Sequence, residues 1–300
     1  VDKSIKIPEG VAGKVEKITV SGRTVYDGAT EITGGMATVI ENSMPFDMKD
    51  LGEGKTVVIE TEDIVYTMQA DVYTLVIDTK EELDSWQEIA CREAVKAGLC
   101  PEAAFRQYMT GYFVLGADIS YNATFAPFTP FSTYWSLGNQ GVNGVKYGDG
   151  EWNHGTSYGF KGVFDGRGYN IDGMGISGDL GGFIVTLADG TLRNVSFTNA
   201  SVSGSSSFVV KAGIGTIENV YVQYNSITNA TETGTFFSSG NDNARSVKNC
   251  IIDVTDCKFE SATNVKLIGA DAQHGEEKVV YDGVYVVGTY PSSLTLKDQK

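Results

Sequence analysis

The chain has 300 residues, of which 36 are Gly and only 6 are Pro, and 41% are hydrophobic. Many glycines combined with 15 Tyr, 14 Phe and numerous β-branched residues favour an all-β chain with many turns. The net charge of −15 disfavours nucleic acids, anionic membranes and, without a bridging divalent cation, polyanionic saccharides. No apolar run reaches the roughly 18 residues of a membrane span, so membrane insertion is not expected.

Residues 1–75 predict a small β-sandwich. Short β-branched segments lie at Lys14–Gly22, Gly54–Asp63 and Val72–Asp78, and turn signals such as Asp27-Gly28 separate them. Strands at this spacing are typical of an immunoglobulin-like domain, although the Cys and Trp residues of a true immunoglobulin domain are missing.

The hydrophobic period then changes to that of a helix. Thr79 and Glu82 have the spacing of a capping box, and Gly98 is a plausible stop. One face of the predicted helix carries the apolar residues Leu83, Trp86, Ile89, Ala90 and Ala94. Pro101 can open a second short helix carrying Phe105, Tyr108 and Met109, so we expect helices over about residues 79–109.

An internal repeat follows. The segments Thr191–Phe197, Thr216–Val222 and Ser246–Ile252 share an apolar residue, a polar residue, Asn, and then two apolar residues at alternate positions. Two further segments, Asn170–Ile176 and Val280–Val286, align if Gly replaces the Asn. The five aligned centres are Gly173, Asn194, Asn219, Asn249 and Gly283.

A position that alternates between Asn and Gly predicts a bend with left-handed backbone geometry, because these residues most readily adopt positive φ. The apolar residues after each bend should point inward, and the Asn side chains of successive repeats can hydrogen-bond to one another. A bend followed by a strand every 20 to 35 residues is typical of a solenoid, and strands without intervening helices favour a parallel β-helix.

The segments Tyr112–Ser120, Phe160–Ser177, Gly181–Gly204 and Gly215–Thr228 resemble, in content and order, the right-handed β-helices of the pectin-lyase-like class. The similarity is to the branch in large bacterial surface proteins with GLUG-type repeats, and it covers about residues 76–287. This resemblance implies a right-handed parallel β-helix over residues 76–300 with an N-terminal helical cap. It also implies a secreted or cell-surface location and a neighbouring immunoglobulin-like module.

Two interpretations of "FKGVFDGRGYNIDGMGIS" compete. In the structural one, Gly166 and Gly168 permit a tight reversal, Phe160 and Phe164 pack inward, and Asp165 caps the turn. In the catalytic one, Asp165 and Arg167 act as a catalytic acid and base. A glycosidase would instead need two carboxylates, which could be assembled across coils from residues such as Asp165, Asp172, Asp179 and Asp189. Turn composition favours the structural interpretation, and the motifs of pectate lyases and polygalacturonases are missing.

Aromatic residues supply the candidate ligand-binding positions. The stretch Tyr121–Trp135 carries six aromatic rings, and its prolines exclude a regular helix. We expect most of these rings to be buried, with Tyr134 and Trp135 as the exposed exceptions. Trp152 and His154 form a second candidate for contact with a sugar, although packing alone would explain them.

No cofactor or metal site is expected. The four Cys residues (Cys91, Cys100, Cys250 and Cys257) contain no CxxC pair, and the chain has only two His. We expect Cys250 to be a buried thiol too far from Cys257 for a disulfide along one strand. Val1 is not an initiator Met and the polar tail lacks an obvious cap, so we expect a piece of a larger chain.

The sequence thus favours a non-enzymatic extracellular module of a bacterial surface protein, with an adhesive, glycan-contacting or structural role. Its expected partner is a glycan or a host or microbial surface protein. Two alternatives stay open. A polysaccharide lyase or glycoside hydrolase requires clustered carboxylates along one face, whereas a pure spacer requires no ligand at all.

Overall fold

A computed structural model of the chain describes residues 3–7, 10–32, 38–42, 47–102, 108–122, 159–177, 182–204, 207–228, 237–239, 245–262 and 279–290. The chain divides into two compact units, Val1–Thr74 with Lys96–Leu99, and Leu75–Val95 with Cys100–Lys300. Most described residues lie in strands, which confirms the all-β class. The described part of the chain contains no helix long and apolar enough to cross a bilayer.

The first unit is built from antiparallel strands. They are β1 (Lys3–Ile7), β2 (Gly13–Val20), β3 (Arg23–Ile32), β4 (Thr38–Asn42), β5 (Gly52–Thr61) and β6 (Val65–Val72). β3, β2, β5 and β6 form a four-stranded sheet in that order, and β1 pairs with β4. One face of the sheet is apolar, with Val15, Ile18 and Ile59 buried together. A bulge between Val15 and Lys17 brings Val15 and Ile18, three positions apart on β2, to the same face. A 3-10 turn at Met48–Asp50 precedes β5. The assignment of this unit as immunoglobulin-like stays a prediction.

The second unit begins with β7 (Leu75–Ile77) and helix α1 (Lys80–Lys96). The predicted capping box is confirmed, since the amide of Thr79 donates to Glu82 at 3.0 Å and the amide of Glu82 donates to Thr79 at 3.2 Å. Gly98 has φ of 69°, as the predicted stop requires. The predicted helix face is buried at Leu83, Trp86, Ala90 and Ala94, with Ile89 partly buried.

The second unit continues with fifteen described strands. They are β8 (Tyr108–Met109), β9 (Tyr112–Leu115), β10 (Ile119–Ser120), β11 (Gly159–Phe160), β12 (Val163–Asp165), β13 (Asn170–Asp172), β14 (Gly175–Ser177), β15 (Ile184–Ser203), β16 (Val210–Thr228), β17 (Phe237–Ser239), β18 (Arg245–Lys248), β19 (Ile251–Asp253), β20 (Lys258–Glu260), β21 (Val279–Asp282) and β22 (Tyr285–Val287). Tyr108 and Met109 lie in a strand, so the second helix predicted through them is wrong at these positions. The rest of that predicted helix, residues 103–107, lies outside the described residues.

All pairings between the described strands of the second unit are parallel, and they form four ladders. The first ladder runs β7-β9-β12-β15-β16-β18-β21, and the second runs β10-β13-β15-β16-β19-β22. The third contains β14, β15, β16 and β20, and the fourth contains β8, β11, β15, β16 and β17. The long strands β15 and β16 take part in all four, because the chain bends between successive short pairings.

Inward side chains from these ladders share one core. Leu192, Phe197 and Val202 come from the first, second and third ladders, Leu187 comes from the fourth, and all four are at most 1% exposed. Trp86 of α1 lies in the same core, with its ring centroid 5.1 Å from that of Phe164. Burial of this apolar surface is the main force holding the unit together.

The Asn repeat is confirmed at four of its five centres. The register pairs Arg193 with Glu218, Glu218 with Lys248, and Lys248 with Asp282, so the residues that follow them stack. These stacked residues are Asn194, Asn219, Asn249 and Gly283, and all have φ between 51° and 64°. The Nδ2 group of Asn219 donates to Oδ1 of Asn194 at 2.9 Å, as predicted for stacked amides.

The alignment of Gly173 with this column is wrong. Each stretch of chain from one strand of the first ladder to the next forms one coil. Ile171 is in register with Phe197, which places Gly173 beside Asn199, at the bend that follows Asn194 in the same coil. Both residues have positive φ, 69° and 51°. The residue that stacks on Asn194 is Gly166, because Asp165 pairs with Arg193. Asn194 and Asn199 both have positive φ at successive bends of one coil, so that coil offers two matching positions for the alignment of Gly173.

A third bend is built from glycines that sequence analysis missed. Gly162, Gly190 and Gly215 stack where the chain enters the first ladder. A Cβ atom on Gly162 would lie 2.1 Å from the carbonyl oxygen of Gly111, and one on Gly215 would lie 2.4 Å from that of Gly190. The bend therefore requires Gly for close backbone approach between coils.

Candidate functional site

Asp165, the first candidate acid, lies at the end of β12 and is 4% exposed. Its Oδ1 atom accepts from the amide of Arg167 at 2.9 Å, which is the predicted Asx turn. Oδ1 also accepts from Nδ2 of Asn194 at 3.0 Å. The position stacked on Asn194 is Gly166, where a Cβ atom would lie 2.5 Å from the carbonyl oxygen of Asn194. The motif "FDGRG" thus forms a tight turn against the neighbouring coil.

The other oxygen of Asp165 pairs with a cation. Nε of Arg193, directly in register on the next coil, donates to Oδ2 at 2.7 Å, and Nη2 of Arg193 donates to the hydroxyl of Tyr112 at 2.6 Å. Burial lowers the pKa of Arg193, but the hydrogen bond and charge of Asp165 outweigh this, so its pKa is raised above the ordinary value. Arg193 is therefore held protonated, which is the wrong state for a base that abstracts a proton from a substrate.

Asp172, the second candidate acid, lies on the second ladder at the end of β13. Its Oδ1 atom accepts from the hydroxyl of Thr198 and from Nδ2 of Asn199, both at 2.7 Å. Nδ2 of Asn170 donates to the same Thr198 hydroxyl at 2.8 Å. The carboxylate therefore joins two coils at the bend where Gly173 and Asn199 stack.

The carboxylates of Asp165 and Asp172 have the same structural role at two different bends. Each closes a bend of one coil and accepts hydrogen bonds from the next coil, and both oxygens of Asp165 are engaged. A general acid needs an oxygen directed at substrate, so the geometry of Asp165 supports a structural role. Arg167, its proposed catalytic companion, has an exposed side chain.

A third carboxylate of this kind, Asp253, was not predicted from the sequence. Oδ1 of Asp253 accepts from the amide of Thr255 at 2.9 Å, and Oδ2 accepts from the hydroxyl of Tyr221 at 3.0 Å. Burial raises the pKa of Asp253, but the hydrogen bonds of Thr255 and Tyr221 outweigh this and hold it below the ordinary value. Burial and the same carboxylate raise the pKa of Tyr221. The signal in the sequence is Asp followed two residues later by Thr.

The aromatic candidates Tyr134, Trp135, Trp152 and His154 lie outside the described residues. Of the aromatic stretch that begins at Tyr121, only Tyr121 itself is described, and it is buried as expected at 1% exposure. Its hydroxyl donates to Asp84 of α1, and Lys80 lies 4.8 Å from the ring centroid. Burial, followed by the hydrogen bond to Asp84, raises the pKa of Tyr121, so this hydroxyl is a fixed donor that ties the helix to β10.

Metal ligands do not cluster in the described part of the chain, where no group of three or more His, Cys, Asp or Glu side chains could hold an ion. The expectation of no metal and no cofactor stays a prediction. None of the four Cys residues, all of which the structure describes, is in a disulfide, and Cys250 is buried as predicted. Burial raises the pKa of Cys250 to about 11 and that of Cys257 to about 12, so neither is an activated nucleophile.

Comparisons with protein-family models, with curated proteins and with solved structures found no match.

Proposed function

We propose that this chain is a non-enzymatic extracellular module of a bacterial surface protein, with an adhesive, glycan-contacting or structural role. The observation that carries the proposal is the state of the candidate acids. Both carboxylate oxygens of Asp165 accept hydrogen bonds, from Arg167, Arg193 and Asn194. The carboxylate of Asp172 accepts hydrogen bonds from Thr198 and Asn199 of the next coil. Polar groups used in this way stabilise a repeat and leave little capacity for acid–base chemistry.

The closed architecture of the second unit is part of the same proposal. We infer that the four ladders are the faces of a right-handed parallel β-helix whose coils close around one core, with α1 as its N-terminal cap. Support comes from β15, whose four short pairings follow one another along the chain while their inward residues meet in one cluster. Trp86 packs against Phe113, Phe160 and Phe164 of the first strands. A crystal structure tests this, because closed coils must return to their starting face.

Ligand contact is proposed for the aromatic residues Tyr134, Trp135, Trp152 and His154. Exposed aromatic rings stack on the apolar faces of sugars and serve equally well as anchors in protein contacts. The net charge of −15 disfavours polyanionic partners, so a neutral glycan or a surface protein is the better candidate.

A glycan array combined with an activity assay tests the function. The intact chain is applied to the array, and the same polysaccharides are assayed for reducing sugars and unsaturated products with and without calcium. We expect binding without turnover, and an approximately tenfold or larger loss of binding in Trp135→Ala or Trp152→Ala, the usual cost of removing an aromatic anchor. Tyr285→Ala, which removes an exposed aromatic ring from β22, is the matched control and should bind normally.

Turnover on any polysaccharide would overturn the non-enzymatic proposal in favour of a lyase or hydrolase. Asp165→Asn and Asp172→Asn would then be compared for catalytic rate and for stability, since a structural carboxylate affects only the second. The absence of both binding and turnover would exclude glycan contact, and would leave a structural spacer or an adhesin that binds a protein partner.

A further inference from the structure

The last described coil ends in a strand with one open edge. Within the described residues, β22 pairs with β19 and has no second partner. Its inward residue Val286 and the preceding Val284 are only partly buried, whereas Ile252 and Cys250, one coil earlier, are fully buried. Tyr285 and Val287 on the other face are 63% and 46% exposed. Among the residues that the structure describes, the apolar layer therefore continues to this edge and no strand covers it.

Backbone groups at this edge point away from the sheet. The amide of Tyr285 donates to the carbonyl of Cys250 at 2.9 Å, and the carbonyl of Val287 accepts from the amide of Val254 at 2.8 Å. Because backbone groups alternate in direction along a strand, the N–H and C=O groups of Val286 face the open edge. Ile252, in register with Val286, directs its own groups at β22 in the same way. An open edge of this kind is a template for another strand.

Charge along the first ladder specifies what that strand should carry. Five residues in register on successive coils alternate strictly in sign, namely Asp165, Arg193, Glu218, Lys248 and Asp282. Asp165 and Arg193 form an ion pair at 2.7 Å. Opposite charges directly across neighbouring strands stabilise a sheet, whereas like charges destabilise it. Asp282 is exposed and is the last member of the column within the described residues, so the column favours a cation at the next position.

We propose that the edge formed by Asp282–Val287 binds a parallel β-strand of a partner polypeptide. The partner strand carries Lys or Arg opposite Asp282, Asn or Gly opposite Gly283, and apolar residues opposite Val284 and Val286. This surface goes beyond the proposed function and does not depend on contact with a glycan. Register chemistry sets the specificity, since the Gly283 position needs positive φ and its own φ is 64°.

The chain itself supplies a probe of this chemistry. Residues 245–254 (RSVKNCIIDV) have Lys248, Asn249 and apolar residues in the required order, and they pair with β21 and β22 from the other side. A fluorescent peptide of this sequence with Cys250→Val avoids thiol chemistry and represents the partner strand. The matched peptide has Glu in place of Lys248.

Fluorescence anisotropy with the full chain measures the two affinities. We expect saturable binding of the Lys peptide, about five- to tenfold tighter than that of the Glu peptide, as cross-strand charge pairs predict. Asp282→Lys in the chain should reverse this preference. Asp63→Lys makes the same change of net charge in the first unit and should leave it unaltered. Val286→Pro removes the N–H group at the open edge and should abolish binding, with circular dichroism confirming the fold.

Several results would overturn the proposal. These are no saturable binding of either peptide up to millimolar concentration, equal affinity for both, or an unchanged preference in Asp282→Lys. A reversed preference in Asp63→Lys would indicate general charge attraction instead of pairing at this edge. Self-association of the chain that Val286→Pro abolishes, measured by sedimentation, would replace the partner strand with a second copy of the chain.

Discussion

At the scale of single residues, the side chains of asparagine and aspartate form hydrogen bonds that join one coil to the next. Asn194, Asn219 and Asn249 occupy left-handed bends that cost other residues roughly 1 kcal/mol, and the first two also bond to each other. Asp165, Asp172 and Asp253 each accept hydrogen bonds at the end of a strand. The same residue types that suggest catalysis in a list of carboxylates here satisfy the polar groups of bends.

The pKa of Asp253 predicts a dependence of stability on pH. Its folded pKa is lowered below 3.8, so its stabilising contribution is complete above that value and is lost as pH falls through the folded pKa. We expect urea unfolding of the wild type to lose stability below about pH 4, and Asp253→Asn to remove at most about 1 kcal/mol of that loss because the group is partly exposed. Asp256→Asn, which removes an exposed carboxylate close by in the sequence, serves as the control. An unchanged pH dependence in Asp253→Asn would contradict this account.

At the scale of elements, bends define the coils, and each bend solves a different steric problem. One uses Asn or Gly for positive φ, while another uses Gly because backbones of adjacent coils approach closely. The distinction predicts different costs for the same substitution. Gly162→Ala would place Cβ 2.1 Å from the carbonyl oxygen of Gly111, and we expect a loss of about 2–4 kcal/mol in the free energy of unfolding.

Gly168→Ala, at a different bend, is the matched control for Gly162→Ala. Nothing lies within 4 Å of its added Cβ, so its cost comes only from φ of 86° and should be about 1 kcal/mol. Chemical denaturation of both variants measures the difference. Equal losses in the two variants would show that close backbone approach does not determine the cost of the substitution at Gly162.

Sequence predicted some elements well and others poorly for identifiable reasons. The capping box at Thr79 and Glu82 is a local interaction, so its pattern sufficed to place the start of α1. The column of Asn194, Asn219 and Asn249 was visible because the same motif repeats. Gly173 was misplaced because pairing between coils, which sequence does not display, decides which of two similar bends it joins. The partners of Asp165 were equally hidden, since Arg193 lies 28 positions away in the sequence.

At the scale of the whole molecule, all four Cys residues belong to the second compact unit, so their thiols report on that unit alone. Cys250 is fully buried, and its pKa of about 11 leaves only about one thiol in a thousand ionised at pH 8. We therefore expect Cys250 in the native chain to react with a disulfide reagent more than a hundredfold more slowly than in urea. Cys250→Ser assigns the signal by removing it.

The denaturant dependence of this reaction distinguishes two ways in which a repeat protein can open. If the single core makes the second unit cooperative, Cys250 and Cys91 should become reactive over the same range of urea, because Cys91 of α1 lies in the same cluster. If coils open one by one from the edge at β22, Cys250 should react at lower urea than Cys91, as nearest-neighbour coupling in solenoids allows. We expect Cys250 to react at lower urea than Cys91. Val284 and Val286 of the last described coil are only partly buried, so they stabilise that end of the unit less than the aromatic core around Trp86 stabilises the end near α1. Exposure of Cys91 before Cys250 would contradict it.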